Sequence, residues 1–446
     1  MSKDVRLLVV GSTAKCRMGL LRLALCLGLF MAVSRASAET ISSQAPICYD
    51  TAKSEDPVAR LQEKIDAGQV RLSGDDRHGY LESVLKLLKI PVSSQTLVFS
   101  KTSFQRDLIA PWKPRALYFN TDLYIGWVQG GEVLEVAAID KQLGPVFYTL
   151  SQERTDKPRF QRQTDNCLQC HEGSMTQNVP GLMVRSVYPD ASGMPLFSAG
   201  TYRTTDASPM KERYGGWYVT GTHGAQRHMG NLIVHQKDDP ENLNLDTGAN
   251  ITNLTAKLDP SPYLSAGSDI VALMVLTHQT QIHNLITKAN YETRIALRDE
   301  RAMNQALHEK PDHTFESTPR RIRGACEPLV RAMLFCEEAP LTDRVIGSSV
   351  FTGEFSAIGP RDSTGRSLRD FDLQKRLFKY PCSFLIYTES FASLPRPAKD
   401  YIYQRLWDVL TGKEMSKDFA HLSANDRKAI QGILAATMTD LPDYWK

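Results

Sequence analysis

Arg115-Ala-Leu-Tyr-Phe-Asn120, Leu123-Tyr-Ile-Gly-Trp-Val-Gln129, Val133-Leu-Glu-Val-Ala-Ala138 and Val146-Phe-Tyr-Thr-Leu150 follow one another with only short breaks. Each run is short and rich in aromatic and β-branched residues. Asn120-Thr-Asp122 and Gly130-Gly131 supply turn residues between them. This pattern predicts an antiparallel meander, preceded by a further strand at Gln95-Thr-Leu-Val-Phe-Ser100. Working outward, Pro57–Ala67 and Asp75–Lys89 carry helical apolar spacing, and Pro91 stops the second. Residues 39–56 have the character of a loose arm.

Downstream, Leu182–Tyr188, Pro195–Ser198 and Gly215–Gly224 suggest short strands broken by glycine turns. Residues 236–262 suggest a long polar loop. Its acids, Asp238, Asp239, Glu241 and Asp246, lack the spacing of a calcium loop. The longest helical pattern covers 266–309, with Val271, Met274, His278, Ile282, Leu285 and Ala289 on one face. From Ile322 the chain is mainly helical, including Pro397–Leu410 and Ser423–Met438. The expected class is α+β. The regions are 1–38, a leader; 39–93, an arm with helices; 94–262, the β region; and 263–446, the helical part.

The leader has basic residues followed by the apolar run Met18–Val33, and ends in Ala36-Ser37-Ala38. A short apolar core before a small-residue cleavage site is the pattern of a secretory signal peptide, with Met18 a plausible true start. No later apolar stretch has membrane-spanning length. The 446-residue chain has 53 basic and 50 acidic residues; removing the leader's six and one leaves 47 and 49, a formal charge of −2. The basic excess therefore belongs to the leader, and no clustered Lys/Arg face suggests nucleic acid.

Six cysteines follow the leader. Two form Cys167-Leu-Gln-Cys170-His171, the C-x-x-C-H spacing of covalent c-type haem attachment. Two intervening residues let both thiols reach one porphyrin edge from one helical turn, with the next imidazole placed to ligate the iron. A zinc site would need two more ligands, and no second C-x-x-C exists. A thioredoxin-type dithiol would follow a strand in a βαβ pattern, which Arg162–Asn166 does not resemble. Cys48, Cys326, Cys336 and Cys382 remain and allow three full pairings. Cys326 and Cys336 on one helix would lie about 15 Å apart, too far for a disulfide. Cys326 with Cys382 is the expected pair, with free buried thiols the alternative.

The sixth iron position separates electron transfer from catalysis. Met175, Met183, Met194 and Met210 follow the motif. His223 and His228, in Gly221-Thr-His-Gly-Ala-Gln-Arg-His-Met-Gly230, are candidates because flanking glycines allow close approach to a flat cofactor. Trp217 and Tyr218 are positioned to pack beside it, and Arg227 to polarise an oxygen ligand. His278 is a third candidate, although its apolar stripe also suits a satisfied core histidine. His283 lies about 140° around the helix from His278, so both cannot ligate one metal.

Cys167-Leu-Gln-Cys-His171 resembles the haem site of c-type cytochromes. Gly215–Gly224 and Tyr380-Pro-Cys-Ser-Phe-Leu-Ile-Tyr387 resemble large secreted bacterial proteins with a mono-haem cytochrome c domain and no assigned activity. The resemblance implies one covalent haem c, held by Cys167 and Cys170 with His171 on the iron. It also implies a periplasmic or secreted location and one-electron exchange with partner proteins. A peroxidase-like haem oxidoreductase with an open distal site and a binding or sensor protein with structural haem are the alternatives.

Overall fold

Seven strands form one antiparallel sheet in the order β6-β5-β4-β3-β2-β1-β9. These are β1 (Thr96–Val98), β2 (Arg115–Phe119), β3 (Leu123–Trp127), β4 (Val133–Asp140), β5 (Gly144–Ser151), β6 (Phe160–Gln163) and β9 (Trp217–Tyr218). β7 (Val184–Val187) and β8 (Thr201–Thr204) make a separate two-stranded ribbon, as do β10 (Gly221–Thr222) and β11 (Ile346–Gly347). The coordinates are a computed structural model that describes residues 40–235 and 239–445. The signal-like residues 1–38 and Asp238 lie outside the described residues. The helices are α1 (Pro57–Asp66), α2 (Leu81–Leu87), α3 (Leu168–His171), α4 (Ile270–Leu307), α5 (Ser317–Met333), α6 (Phe351–Ala357), α7 (Glu389–Ala392), α8 (Arg396–Leu410) and α9 (Ala424–Thr437). The α+β expectation holds, with the sheet in the first half and helices in the second.

Alternation along the strands decides what each face meets. Phe119, Tyr124, Ala137 and Phe147 face α4 and the C-terminal helices. Tyr118, Leu123, Ile125, Val136, Val146 and Tyr148 face the layer of α1 and α2, with Val58, Leu61, Leu81 and Val84. The sheet is thus sandwiched, and its strands carry apolar residues on both sides. Asp269 starts α4 by accepting from Val271 and Ala272 N–H, so two amides left without helical partners are satisfied. At 38 residues α4 is about 57 Å long. Its first half is buried nearly all round, including Thr277, His278, Gln279 and Thr280, because the sheet lies on one side and α5 and α6 on others.

Several expectations need correction. The second N-terminal helix begins at Leu81, not Asp75, because Asp75 and Gly79 bridge across a tight turn with Gly79 at φ +59°. Residues 41–56 are not a loose arm. Ile47 and Tyr49 are buried, Tyr49 donates its hydroxyl to Pro145 O at 2.8 Å, and Arg162 binds the carbonyls of Tyr49 and Ala52. Residues 197–199 form a 3-10 turn rather than a strand. The helix carrying Cys326 ends at Met333, so Cys336 lies beyond it rather than on the same helix, and Pro328 sits inside α5. All six described cysteines are free thiols, Cys326 and Cys382 included. Ser383 N–H docks on Met333 O, seven residues and about 10 Å along α5 from Cys326, which keeps Cys382 beyond disulfide reach.

Candidate functional site

The Cys-x-x-Cys-His segment leaves β6 and makes the single turn α3. Cys170 N–H and His171 N–H both donate to Cys167 O, at 3.2 and 2.9 Å. This turn places Cys167, Cys170 and His171 on consecutive corners. Cys167 is half-buried against the core and Cys170 is exposed. Burial, reinforced by Glu135, pushes the Cys167 thiol up to about 11. His171 packs its ring 4.8 Å from Phe147, so β5 forms the floor under the imidazole. Burial holds His171 below its ordinary pKa, which keeps the ring neutral at pH 7.

The chain then doubles back. Gln177 and Asn178 take left-handed backbone at φ 66° and 60°. The Thr176 hydroxyl lies within hydrogen-bond reach of the carbonyls of His171 and Val179. Gly181 closes the loop twice: its N–H donates to His171 O, and its carbonyl accepts from His171 Nδ1, both at 2.8 Å. A carbonyl can only accept, so Nδ1 carries the proton and Nε2 keeps its lone pair. Nε2 makes no hydrogen bond among the described residues. Asn284 of α4 pins the segment, accepting from Leu182 N at 2.8 Å and donating to Leu182 O at 2.6 Å. A Cβ on Gly181 would lie 2.6 Å from Asn284 Oδ1 and 2.7 Å from Thr176 Cβ. Beneath the motif, the Arg115–Glu135 ion pair (2.6 Å) crosses β3 at Gly126, where any side chain would strike the guanidinium.

A tautomer argument also sorts the three candidate distal histidines. His223 Nε2 accepts from Asn250 N–H at 3.0 Å, so its Nδ1 carries the proton and offers a donor, not a lone pair. His278 uses both nitrogens, Nδ1 on Asp206 (2.7 Å) and Nε2 on Ser383 (2.8 Å), and stacks on Phe335. It is a satisfied core histidine. His228 is buried with neither ring nitrogen partnered, 4.7 Å from the His223 ring and 6.2 Å from Tyr214. Burial, with His223 beside it, holds its pKa down at about 3. Among the described residues, no hydrogen bond or ring contact joins His171 to any of the three. Arg227 binds Asp246 at 2.5 Å and two backbone carbonyls. Trp217 donates to Arg185 O, and Tyr218 to Pro111 O.

Asp206, His278 and Ser383 thus line up as in a serine hydrolase relay. Ser383 and His278 are wholly buried, and the Ser383 hydroxyl also caps Leu385 N–H. The line ties α4 to two distant loops and presents no nucleophile to a substrate. Sequence reading missed Asp206, Ser383, Asn284, Gly181 and Phe147. Asp206, Ser383 and Asn284 meet their partners from 72 to 105 residues away, and Gly181 closes a loop whose return no periodic pattern marks. Comparison with protein-family models, curated proteins and solved structures finds no match. Among the described residues, no helix is long and apolar enough to cross a membrane.

Proposed function

We propose that this chain is an exported mono-haem c-type protein that transfers single electrons between partner proteins. The observation that carries the reading is the pairing of His171 with Gly181. A neutral imidazole, its Nδ1–H held by a carbonyl and its Nε2 lone pair free, stands one residue from a thiol and four from another. That is the donor set a covalent haem needs, and an outer hydrogen bond of this kind orients a metal-bound histidine. Cys167 and Cys170 would hold the group through thioethers and His171 Nε2 would hold its iron. When bound, the haem supplies a one-electron ferric/ferrous couple. Phe147 and the 173–181 loop shield and orient the imidazole, while exposed Cys170 puts the attached edge near solvent, which suits exchange with partners. The signal-like leader supports a periplasmic location, where such attachment takes place.

The test is expression with the haem-attachment machinery, comparing wild type with Cys167→Ala/Cys170→Ala. The wild type should retain its haem spectrum through denaturation and organic extraction, and the double variant should lose it. Equal, extractable colour in both would contradict the reading. A second reading, an oxidoreductase with an open sixth position, is favoured by one observation: His223 and His278 have their acceptor nitrogens engaged, and among the described residues no hydrogen bond or ring contact joins His171 to His228, whose lone pair is free. Cyanide binding to the ferric protein separates the two. Rapid high-affinity binding supports the oxidoreductase; a low-spin spectrum indifferent to cyanide supports electron transfer.

A further inference from the structure

We propose that a cavity walled by the 173–182 loop, the β7–β8 ribbon and α4 binds one chloride ion at Arg203, independently of the haem reading. The cavity measures about 10 Å³, room for one water-sized particle. Its lining includes Arg203, Gln177, Thr204, Thr280, Gln281 and Asn284. Arg203 is the only charged residue in the lining, and no acid faces it there. It comes from β8 and is half-buried. Among the described residues its guanidinium donates only to neutral acceptors. These are Met175 O at 3.2 Å and, with the Gln177 amide turned to present its oxygen, Gln177 Oε1 at 2.7 Å.

A guanidinium keeps its charge in a protein, so hydrogen bonds to neutral oxygens leave the charge itself unbalanced. Among the described residues no carboxylate pairs with Arg203, and burial lowers its pKa with no acid to offset it. The next acid along the chain, Asp206, turns its carboxylate to His278 Nδ1 at 2.7 Å. Arg185 stands directly opposite Arg203 in the ribbon register and brings no carboxylate with it. It donates to Thr201 Oγ1 at 2.9 Å and lies over the Phe197 ring. The ribbon thus supplies two positive charges and no negative one. Thr204 of the lining is 2% exposed, and its hydroxyl has no hydrogen-bond partner. A partly desolvated cation beside an unsatisfied hydroxyl calls for a negative ion; a water could satisfy the hydroxyl but not the charge. The size of the space selects a monoatomic anion, because a sulfate or phosphate with its full set of oxygens does not fit. Bound there, chloride braces the loop that orients His171, since Arg203 already holds Met175 and Gln177 of that loop.

The experiment uses the full chain and follows thermal unfolding while chloride replaces gluconate at constant ionic strength. An ion that binds only the folded state raises the midpoint with its concentration. The wild type should show this rise. Arg203→Gln keeps a donor for Met175 O and removes the charge, so it should need at least fivefold more chloride for the same rise. Sulfate acts by exclusion from the whole surface and should move both proteins alike. Diffraction from wild-type crystals soaked in bromide gives a readout that needs no variant to fold. An anomalous peak against the Arg203 guanidinium is the expected result. A wild-type midpoint indifferent to chloride, a response in Arg203→Gln within fivefold of wild type, or water alone in the bromide-soaked cavity would overturn the proposal.

Discussion

Gly181 is the residue on which the site's geometry turns. It accepts from the His171 ring, donates to the His171 carbonyl, and lies against Asn284 and Thr176 with no room for a methyl group. Gly181→Ala should cost about 1–3 kcal/mol in urea unfolding, the usual cost of overpacking a filled site, and should weaken the hold on Nδ1. In the haem-loaded protein that loss should shift the reduction potential; an unchanged potential would show that the contact does not set the ligand. His228 makes a second residue-scale prediction. Its pKa of about 3 lies below the unfolded value, so the unfolded chain binds the extra proton first. Its neutral form therefore costs nothing above about pH 6.5, and stability falls as the pH drops from there toward 3. His228→Phe removes two buried nitrogens that have no partner, so it should change stability at pH 7 by less than about 1.5 kcal/mol. The variant should also lose less stability between pH 6.5 and 4. An acid limb as steep as wild type would count against a buried neutral His228.

At the scale of elements, most of the fold was legible where periodicity is local. The meander strands were read from alternating aromatic and β-branched residues. The pattern at 266–309 became a helix over Ile270–Leu307. Failures fell where one tertiary contact outweighed a local pattern. The Asp75–Gly79 turn broke a helical stripe, and residues 41–56, read as a loose arm, are held on the sheet by the Tyr49–Pro145 bond. For the site, Cys167, Cys170 and His171 were legible because their chemistry demands a fixed spacing. The residues that orient them were not: Asn284 reaches Leu182 from 102 residues away, and no spacing rule covers that. Asn284 is also the bond between α4 and the motif loop. Asn284→Ala leaves the buried N–H and C=O of Leu182 without partners and should cost about 2–4 kcal/mol. Hydrogen exchange should show the protection loss concentrated in residues 173–182. A loss spread evenly over the chain would argue against this local role.

For the whole molecule, Ile41–Lys446 forms one compact unit, and the Cys167–His171 segment follows the edge strand β6 of its sheet rather than lying in a small helical domain. Sequence reading placed Cys167–His171 inside the β region 94–262. It did not anticipate that residues 41–56 cover the sheet. Ile47, Tyr49 and the Ser54–Asp56–Tyr148 hydrogen bonds become visible only once β5 is in place, because their partners lie about ninety residues on. The functional account rests on a covalent bond, so mass is its most direct test. The intact mass of the denatured protein, purified from periplasm with active haem-attachment machinery, should equal the processed chain plus one haem. A mass equal to the bare chain, with both motif thiols open to alkylation, would contradict the account.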